Sequence, residues 1–371
     1  MKFKLHFYGL IVSIAFSTAC GKRPETRRID WSGKERGTLT SAPMKFDTAA
    51  LLRVTSSVLH GDLLFVEQES IPDNLWSLFR INGDSLHWQG VLLQKGKGPF
   101  EIHQERAFIL DPGNDSLVVN PTGYAKNYFT IPTHDPAAVL DKKQWGIHAY
   151  PENIGHMDIM APTTDGGFIT ATRDEKENMF EIFFPGDSLA ESLVSPYPET
   201  DQPLVGNAKG YAYNGRIYQR PGFDQYLQVG STGRMAVVFE LENKRIVRRK
   251  EIYNKLPEFE LAPDGMNLSP SGENDLGFRF AVSENYIYLC PIPFKLKNLG
   301  VVKDYKGYPL GYADELQIFD WNGNPVCRYE LDTPVVSLTV APDESYFYAN
   351  TIDPETEAPR ILRFALPPLE Y

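Results

Sequence analysis

The side chains best suited to catalysis in this sequence form no recognisable catalytic pattern. Four of the seven histidines lie close together along the chain but are irregularly spaced: His103, His134, His148 and His156. A metal or acid–base site would require the fold to bring them together. CxxC, HExxH, EF-hand and GxSxG patterns, which mark metal sites and serine hydrolases, are absent from the sequence. The sequence therefore predicts no catalytic residues and no cofactor.

An insertion over residues 291–314 suits binding better than catalysis, because it is basic and aromatic in an acidic chain. It contains Phe294, Lys295, Lys297, Lys303, Tyr305, Lys306, Tyr308 and Tyr312. A tyrosine ring supplies apolar area while its hydroxyl stays in water, and lysine supplies a cation. At the rim of a pocket, such residues could stack on a sugar or engage an acidic peptide. The alternative is a solvated loop packed on its own part of the fold.

The first twenty residues have the features of a secretory signal. Lys2 and Lys4 supply a positive start, and an apolar stretch too short to span a bilayer leads to small residues before Cys20. This ending resembles a bacterial lipoprotein lipobox, with Ser17 where the pattern usually has Leu. The resemblance implies a signal peptide over residues 1–19 and a lipidated Cys20 that anchors the exported chain to a membrane. A plain signal peptide without lipidation is the alternative.

Net charge bears on the partners and the location of the chain. The formal net charge is −11, and loss of Lys2 and Lys4 with the signal peptide leaves 35 basic and 48 acidic residues, about −13. Because such a surface repels phosphate backbones, the sequence predicts no nucleic-acid partner. Lipoproteins displayed on the cell surface often carry acidic residues after the lipidated Cys, whereas residues 22–28 are basic. We therefore expect an outer-membrane lipoprotein that faces the periplasm.

Short β-branched and aromatic segments bounded by Asn, Gly, Pro or Asp recur along the chain, which is typical of antiparallel strands joined by tight turns. Asn-Gly, a strong hairpin signal, occurs at 82–83, 214–215 and 322–323. The predicted strands form six units: 51–57, 62–67, 75–81 and 85–93; 106–110, 116–119, 124–131 and 145–150; 156–160, 167–171, 179–184 and 188–194; 216–220, 225–229, 235–241 and 245–253; 278–283, 286–290, 315–320 and 325–331; 335–340, 346–350 and 361–365.

Repetition of these units indicates a β-propeller. Comparable second strands begin at steps of 54, 51, 49, 69 and 60 residues, and such a period with four strands per repeat is typical of propeller blades. The sixth unit lacks a fourth strand, whereas Thr38–Phe46 is a strand without a unit. The sequence thus predicts an all-β, six-bladed propeller of four-stranded antiparallel blades over residues 38–371, closed by its N-terminal strand. Residues 20–37 are predicted to be a flexible tether, and seven blades or a split fold are the alternatives.

Three segments link the chain to a known family. They are GKGPFE at 96–101, APDESYFYAN at 341–350 and the lipobox. Together they resemble the TolB-like six-bladed propeller lipoproteins of Bacteroidetes, whose relatives carry a G-x-G-P-x-E segment after the first blade, matched here by Gly96, Gly98, Pro99 and Glu101. The resemblance covers most of the chain after Gly37. It implies the fold and brings no catalytic residues with it.

In a propeller, the insertion over 291–314 leaves its blade on the same face as the blade-to-blade connections, the face that usually hosts ligands. The predicted ligand-face residues are Lys97, Phe100, His103, Arg106, Arg173, Phe294, Lys297, Tyr305, Tyr308 and Tyr312. The leading prediction is a lipid-anchored, non-catalytic binding or scaffold module for a protein, peptide or glycan. Cys290 and Cys327 are predicted to be buried free thiols on the second and fourth strands of one blade.

Two enzymatic alternatives stay open. The first is a metal-dependent hydrolase or lactonase, in which Glu, Asn and Asp from separate blades would hold a divalent cation in the central channel. The second is a carbohydrate lyase or hydrolase, which would need paired carboxylates or His and Arg in a deep groove. Asp and Glu are plentiful, but no spacing singles out an acid–base pair.

Overall fold

Short strands pair antiparallel into six small sheets arranged in a ring. The computed structural model describes residues 29–46, 51, 54–68, 74–96, 100–102, 107–111, 116–120, 126–154, 157–172, 177–195, 197, 213, 215–261, 268–299, 306–309 and 311–369. The N-terminal strands and the first three blades comprise β1 (Glu35–Leu39), β2 (Ser41–Pro43), β3 (Val54–His60), β4 (Leu63–Gln68), β5 (Asn74–Asn82), β6 (Ser85–Lys95), β7 (Glu101–Ile102), β8 (Ala107–Asp111), β9 (Ser116–Asn120), β10 (Asn127–Pro132), β11 (Gly146–Ala149), β12 (Met157–Pro162), β13 (Phe168–Thr172), β14 (Glu181–Phe183) and β15 (Glu191–Ser192).

The second half of the chain forms blades four to six. Its strands are β16 (Gly215–Gln219), β17 (Gln225–Gly230), β18 (Arg234–Glu242), β19 (Arg245–Lys255), β20 (Phe259–Leu261), β21 (Leu268–Pro270), β22 (Phe278–Val282), β23 (Tyr286–Pro291), β24 (Ala313–Asp320), β25 (Pro325–Val335), β26 (Ser337–Val340), β27 (Tyr346–Ile352) and β28 (Pro359–Ala365). The predicted strands of all six units correspond to these blades. The prediction of an all-β, six-bladed propeller is therefore confirmed.

Hydrophobic clusters fill the seams between neighbouring blades. In β4, Leu63 and Phe65 pack toward blade two, whereas Leu64 and Val66 pack toward blade six. Because successive side chains of a strand point to opposite faces of the sheet, a strand covered on both faces reads as a continuous apolar run. Each of the six seams has such a cluster, including the one that joins blade six to blade one.

The N-terminal strand closes the ring as predicted. β2 pairs antiparallel with β28, with Ser41 opposite Phe364 and Pro43 opposite Leu362, and so supplies the fourth strand of blade six. The next two residues join blade six to blade one, since the Met44 amide donates to the Ile361 carbonyl at 2.8 Å and the Lys45 amide donates to the Asp84 carbonyl at 2.8 Å. The closing strand therefore covers an outer edge that would otherwise be open.

The prediction of a flexible tether over residues 20–37 is wrong for its described part, residues 29–37, which is attached to the propeller. Ile29 and Trp31 pack on the cluster between blades four and five, and the Trp31 and Phe319 ring centroids lie 5.4 Å apart. β1 then adds to blade five as a fifth strand, parallel to β25. The sequence did not indicate β1, because its first four residues are exposed and its pairing uses backbone groups, which need no apolar pattern.

Two insertions were not predicted. Helix α1 (Pro136–Leu140) and a 3₁₀ turn (Lys142–Gln144) separate the third and fourth strands of blade two. Asp135 caps α1 by accepting from the Ala137 amide at 3.3 Å. Blade four, which looked irregular in sequence, has four regular strands. Its extra length lies in the connection to blade five, which contains the β20–β21 hairpin.

Cys290 and Cys327 are buried free thiols on β23 and β25, with β24 between them, as predicted. Burial raises the pKa of both thiols. None of the helices in the described ranges is long and apolar enough to cross a lipid bilayer.

Candidate functional site

The up-and-down order of strands places the connections on two opposite faces. The turn face carries the connections from first to second and from third to fourth strands, for example residues 83–84 and 283–285. The loop-rich face carries the connections from second to third strands and those between blades. The insertion over residues 292–312 between β23 and β24 therefore lies on the loop-rich face.

The first half of this insertion is fastened to the connection between blades four and five. The Leu276 amide donates to the Phe294 carbonyl at 2.8 Å, and the Leu296 amide donates to the Asn274 carbonyl at 2.7 Å. A 3₁₀ turn (Leu296–Asn298) follows. This half is thus held by backbone hydrogen bonds to a neighbouring connection, which differs from a solvated loop packed on its own blade.

The lysines of the insertion that the structure describes are matched by carboxylates. Lys295 and Lys297 both contact Glu273, with N–O distances of 2.8 and 2.6 Å. Hydrogen bonds from these two lysines lower the pKa of Glu273 to about 2. Lys306 forms an ion pair with Asp314. The insertion therefore carries less uncompensated positive charge than its sequence indicated.

The second half of the insertion packs over blade six. Tyr308 and Tyr312 are 9% and 6% exposed, their ring centroids are 5.5 Å apart, and they form a small cluster with Ile352 and Val336. Burial raises the pKa of Tyr308. Both tyrosines were predicted to contact a ligand, but their rings are engaged in packing.

The other predicted ligand-face residues are placed only in part. Phe100 is half-buried against Phe129 and Trp145, with ring centroids 6.1 and 5.6 Å away. Phe294 is half-buried, and Lys297 is exposed in its pair with Glu273. Outside the described residues lie Cys20, Lys97, His103, Arg106, Arg173 and Tyr305.

The first strands of the blades surround the central channel. Neighbouring first strands contact each other, as β3 does with β8, β12 with β16, and β22 with β26. Between blades four and five, the Tyr218 and Phe280 rings meet edge to face at 4.9 Å. Because each first strand follows a blade-to-blade connection, its first residues lie at the loop-rich end of the channel.

Arg279, the second residue of β22, lies at this end. Its Nε donates to the Gly311 carbonyl at 2.8 Å, and the side chain is half-buried. Desolvation, followed by the positive charge of Arg216, lowers the pKa of Arg279 to about 10. No carboxylate among the described residues forms an ion pair with either arginine.

Arg216 occupies the equivalent second position of β16, and its side chain is exposed. Neither arginine stands out from the composition of its surrounding segment, so neither was predicted. The available signal was a single arginine near the start of an otherwise apolar or aromatic first strand, FRFAV and GRIYQ. The two together make a positive region at the loop-rich mouth of the channel.

The turn face is built differently. Side-chain contacts that link its hairpins from blade to blade include those of Thr164 with Asp224, Arg220 with Glu284, and Ser283 with Glu344. Over the ranges that the structure describes, no group of three or more His, Cys, Asp and Glu side chains is arranged to hold a metal ion.

Comparison with known proteins places this architecture in a family. No curated protein matches the chain. Similar solved structures include that of U3-55K (TM-score 0.48, 7% identity, 88% of this chain and 98% of that chain) and the WD40 repeats of RRP9 (TM-score 0.47, 7% identity, 92% and 100%). Residues 59–343 match the family described as TolB-like 6-blade propeller-like. Since the match spans more than half of the sequence, the chain belongs to the TolB-like 6-blade propeller-like family.

Proposed function

We propose that this chain is an exported, lipid-anchored propeller that binds a protein, peptide or glycan through its loop-rich face and performs no catalysis. The observation that carries the proposal is the pair Arg216 and Arg279. Holding the partly desolvated guanidinium of Arg279 within reach of the like charge of Arg216 costs free energy, which an anionic ligand would offset. In a chain with a net charge of −11, this local positive region favours a role in binding over one in stability.

Lipid anchoring and a periplasm-facing outer-membrane location rest on the lipobox-like ending at Cys20 and on the basic residues that follow it. Ile29, nine residues after Cys20, is already packed on the propeller. A chain of nine residues spans at most about 30 Å. An anchor at Cys20 would therefore keep the propeller close to the membrane surface.

Replacement of the proposed lipidation site tests the anchor. Cys20→Ser is expected to abolish incorporation of labelled palmitate and to release the protein from the membrane fraction. Cys327→Ala removes a different thiol and should leave both properties unchanged. Palmitate labelling of Cys20→Ser, or wild-type protein found only in the soluble fraction, would contradict the anchor.

Site-specific photo-crosslinking in the cell envelope tests the binding face. Leu299 on the loop-rich face and Phe223 on the turn face are both exposed apolar residues, 48% and 43% exposed. They are therefore a matched pair for replacement by a photoreactive phenylalanine analogue. We expect a crosslinked adduct from position 299 and none from position 223. Adducts from position 223 alone, or from neither position, would refute the proposed binding face.

A further inference from the structure

We infer that Arg279 and Arg216 form a carboxylate-recognition site for an acidic peptide segment at the loop-rich mouth of the channel. This inference rests on the proposed binding function of that face and names the chemistry of its ligand. The site is separate from the described lysines of the insertion, which already pair with Glu273 and Asp314.

The contact between Arg279 and Gly311 orients the guanidinium. Nε donates to the Gly311 carbonyl at 2.8 Å, and among the described residues no other acceptor is bonded to the two terminal nitrogens of Arg279. Gly311 has φ +100°, and a Cβ there would lie 2.9 Å from Arg279 Nη2. Glycine thus lets the guanidinium rest against the backbone. Two terminal N–H groups of a fixed guanidinium match the two oxygens of a carboxylate.

Arg216 adds a second cation from the neighbouring blade. It is exposed, and its charge acts on Arg279 across the junction of β16 and β22. The Tyr218 and Phe280 rings contact each other where these two strands are neighbours. Two cations at the opening of a protein-walled channel attract anions more strongly than either would alone. The pair therefore fits a segment with more than one acidic side chain.

The packing of the insertion favours a peptide over a sugar. Proteins commonly bind sugars by stacking them on an exposed aromatic ring. Tyr308 and Tyr312 instead use their rings to contact each other and Ile352, so they offer no such platform. A carboxylate on a flexible chain needs only the guanidinium groups and access to the mouth of the channel.

Fluorescence anisotropy with labelled hexaglutamate, added to the full chain in detergent at low salt, tests the inference. Arg279→Gln should weaken binding by about tenfold or more, as expected for loss of a charge-assisted bidentate contact. Arg216→Gln should weaken it by about threefold, because that side chain is exposed. Arg80→Gln is the matched control, since Arg80 pairs with Asp62 on the turn face at 2.7 Å. It should bind like the wild type.

Thermal unfolding separates this role from a structural one. Arg279→Gln leaves no described carboxylate without a partner and loses one hydrogen bond, so its unfolding midpoint should stay near that of the wild type. If Arg279→Gln has a much lower unfolding midpoint, the binding result for Arg216→Gln tests the site instead, because an exposed side chain can be replaced without loss of folding. Wild-type affinity in Arg216→Gln, or equal weakening in Arg80→Gln, would overturn the site.

Two further probes identify the ligand class. Hexaglutamine, which lacks the carboxylates, should not bind. Trigalacturonate supplies carboxylates on a sugar, and its binding in place of hexaglutamate would overturn the peptide assignment. If none of the probes binds while position 299 still gives crosslinks, the carboxylate site is wrong and the proposed binding face stands.

Discussion

The two faces of the propeller use their charged groups in different ways. On the turn face, charged and polar side chains reach from one blade to the next. The Thr164 amide donates to Asp224 at 2.9 Å, Arg220 Nε donates to the Glu284 carbonyl at 2.7 Å, and Ser283 Oγ donates to Glu344 at 2.6 Å. Each of these contacts crosses a seam. We interpret the turn face as a belt that helps to hold the ring closed.

On the loop-rich face, the described lysines of the insertion form ion pairs and its described tyrosines are packed. Arg216 and Arg279 form no ion pair with a described carboxylate. The pairs of Glu273 are exposed, and exposed pairs contribute little to stability. Arg279 is partly desolvated without a described carboxylate, which lowers stability. We interpret the polar groups of the turn face as serving stability, and we propose that those of the loop-rich face near the channel serve binding.

The largest expected effect on stability comes from Tyr312, which lies on the loop-rich face. It would show that this face also contains a residue that stabilises the fold. Tyr312→Ala should lower the free energy of unfolding by about 3 kcal/mol, since it removes a ring that is 6% exposed and packed on Tyr308. Urea denaturation measures the change. Trp88→Ala, which removes a ring that is 52% exposed, should cost far less. If Tyr312→Ala cost no more stability than Trp88→Ala, the packing of Tyr312 would not stabilise the protein.

A smaller effect is expected from the turn-face belt. Glu344 accepts hydrogen bonds from Ser283 Oγ at 2.6 Å and from the Asn285 amide at 3.0 Å, both across the seam between blades five and six. Glu344→Ala should therefore lower the free energy of unfolding by about 2 kcal/mol. Glu284→Ala is the control, because Glu284 takes part in the belt through its backbone carbonyl. A cost for Glu284→Ala as large as that for Glu344→Ala would contradict the belt.

The sequence was sufficient for the blades because their buried strands are apolar on both faces. Apolar runs such as LLFV in β4 and YIYLC in β23 can be recognised as strands without knowing which strands they pair with. β1 could not be recognised as a strand from the sequence, because it pairs with β25 through backbone groups while most of its side chains stay exposed. α1 is only five residues long, and its Asp135 cap and Pro136 start also suit a turn.

The candidate site was less predictable because charge compensation depends on distant residues. Lys295 and Lys297 suggested a basic lid, but their partner Glu273 lies more than twenty residues away in sequence, on another connection. Tyr308 and Tyr312 were predicted to face a ligand, yet their environment depends on Ile352 in blade six. Composition therefore located the insertion, and only the tertiary contacts distinguished its packed residues from the arginines beside it.

A glycine substitution sharpens the difference between the two roles on the loop-rich face. Gly311→Ala should destabilise the protein by about 1 kcal/mol because φ is +100°, and it should also weaken hexaglutamate binding by displacing Arg279. Gly307→Ala is the matched control. Its φ is +86°, and a Cβ there would meet Pro354 at 3.2 Å, away from Arg279. It should be destabilised similarly but bind normally, and weaker binding in both variants would count against the orienting role of Gly311.

The smallest effect on stability is expected from Glu273 on the loop-rich face, which we compare with Glu344 on the turn face. Unlike Glu344, Glu273 is exposed, and its pKa is held near 2 by hydrogen bonds from Lys295 and Lys297. A folded-state pKa below the ordinary value means that any stabilisation is present above the unfolded-state pKa and is lost as the pH falls toward 2. Because solvent and salt screen an exposed pair, Glu273→Gln should shift the unfolding midpoint at pH 7 by far less than Glu344→Ala does. The difference from the wild type should vanish in high salt and again near pH 2. A shift as large as that of Glu344→Ala, or one insensitive to salt, would show that the loop-rich face also relies on its ion pairs for stability.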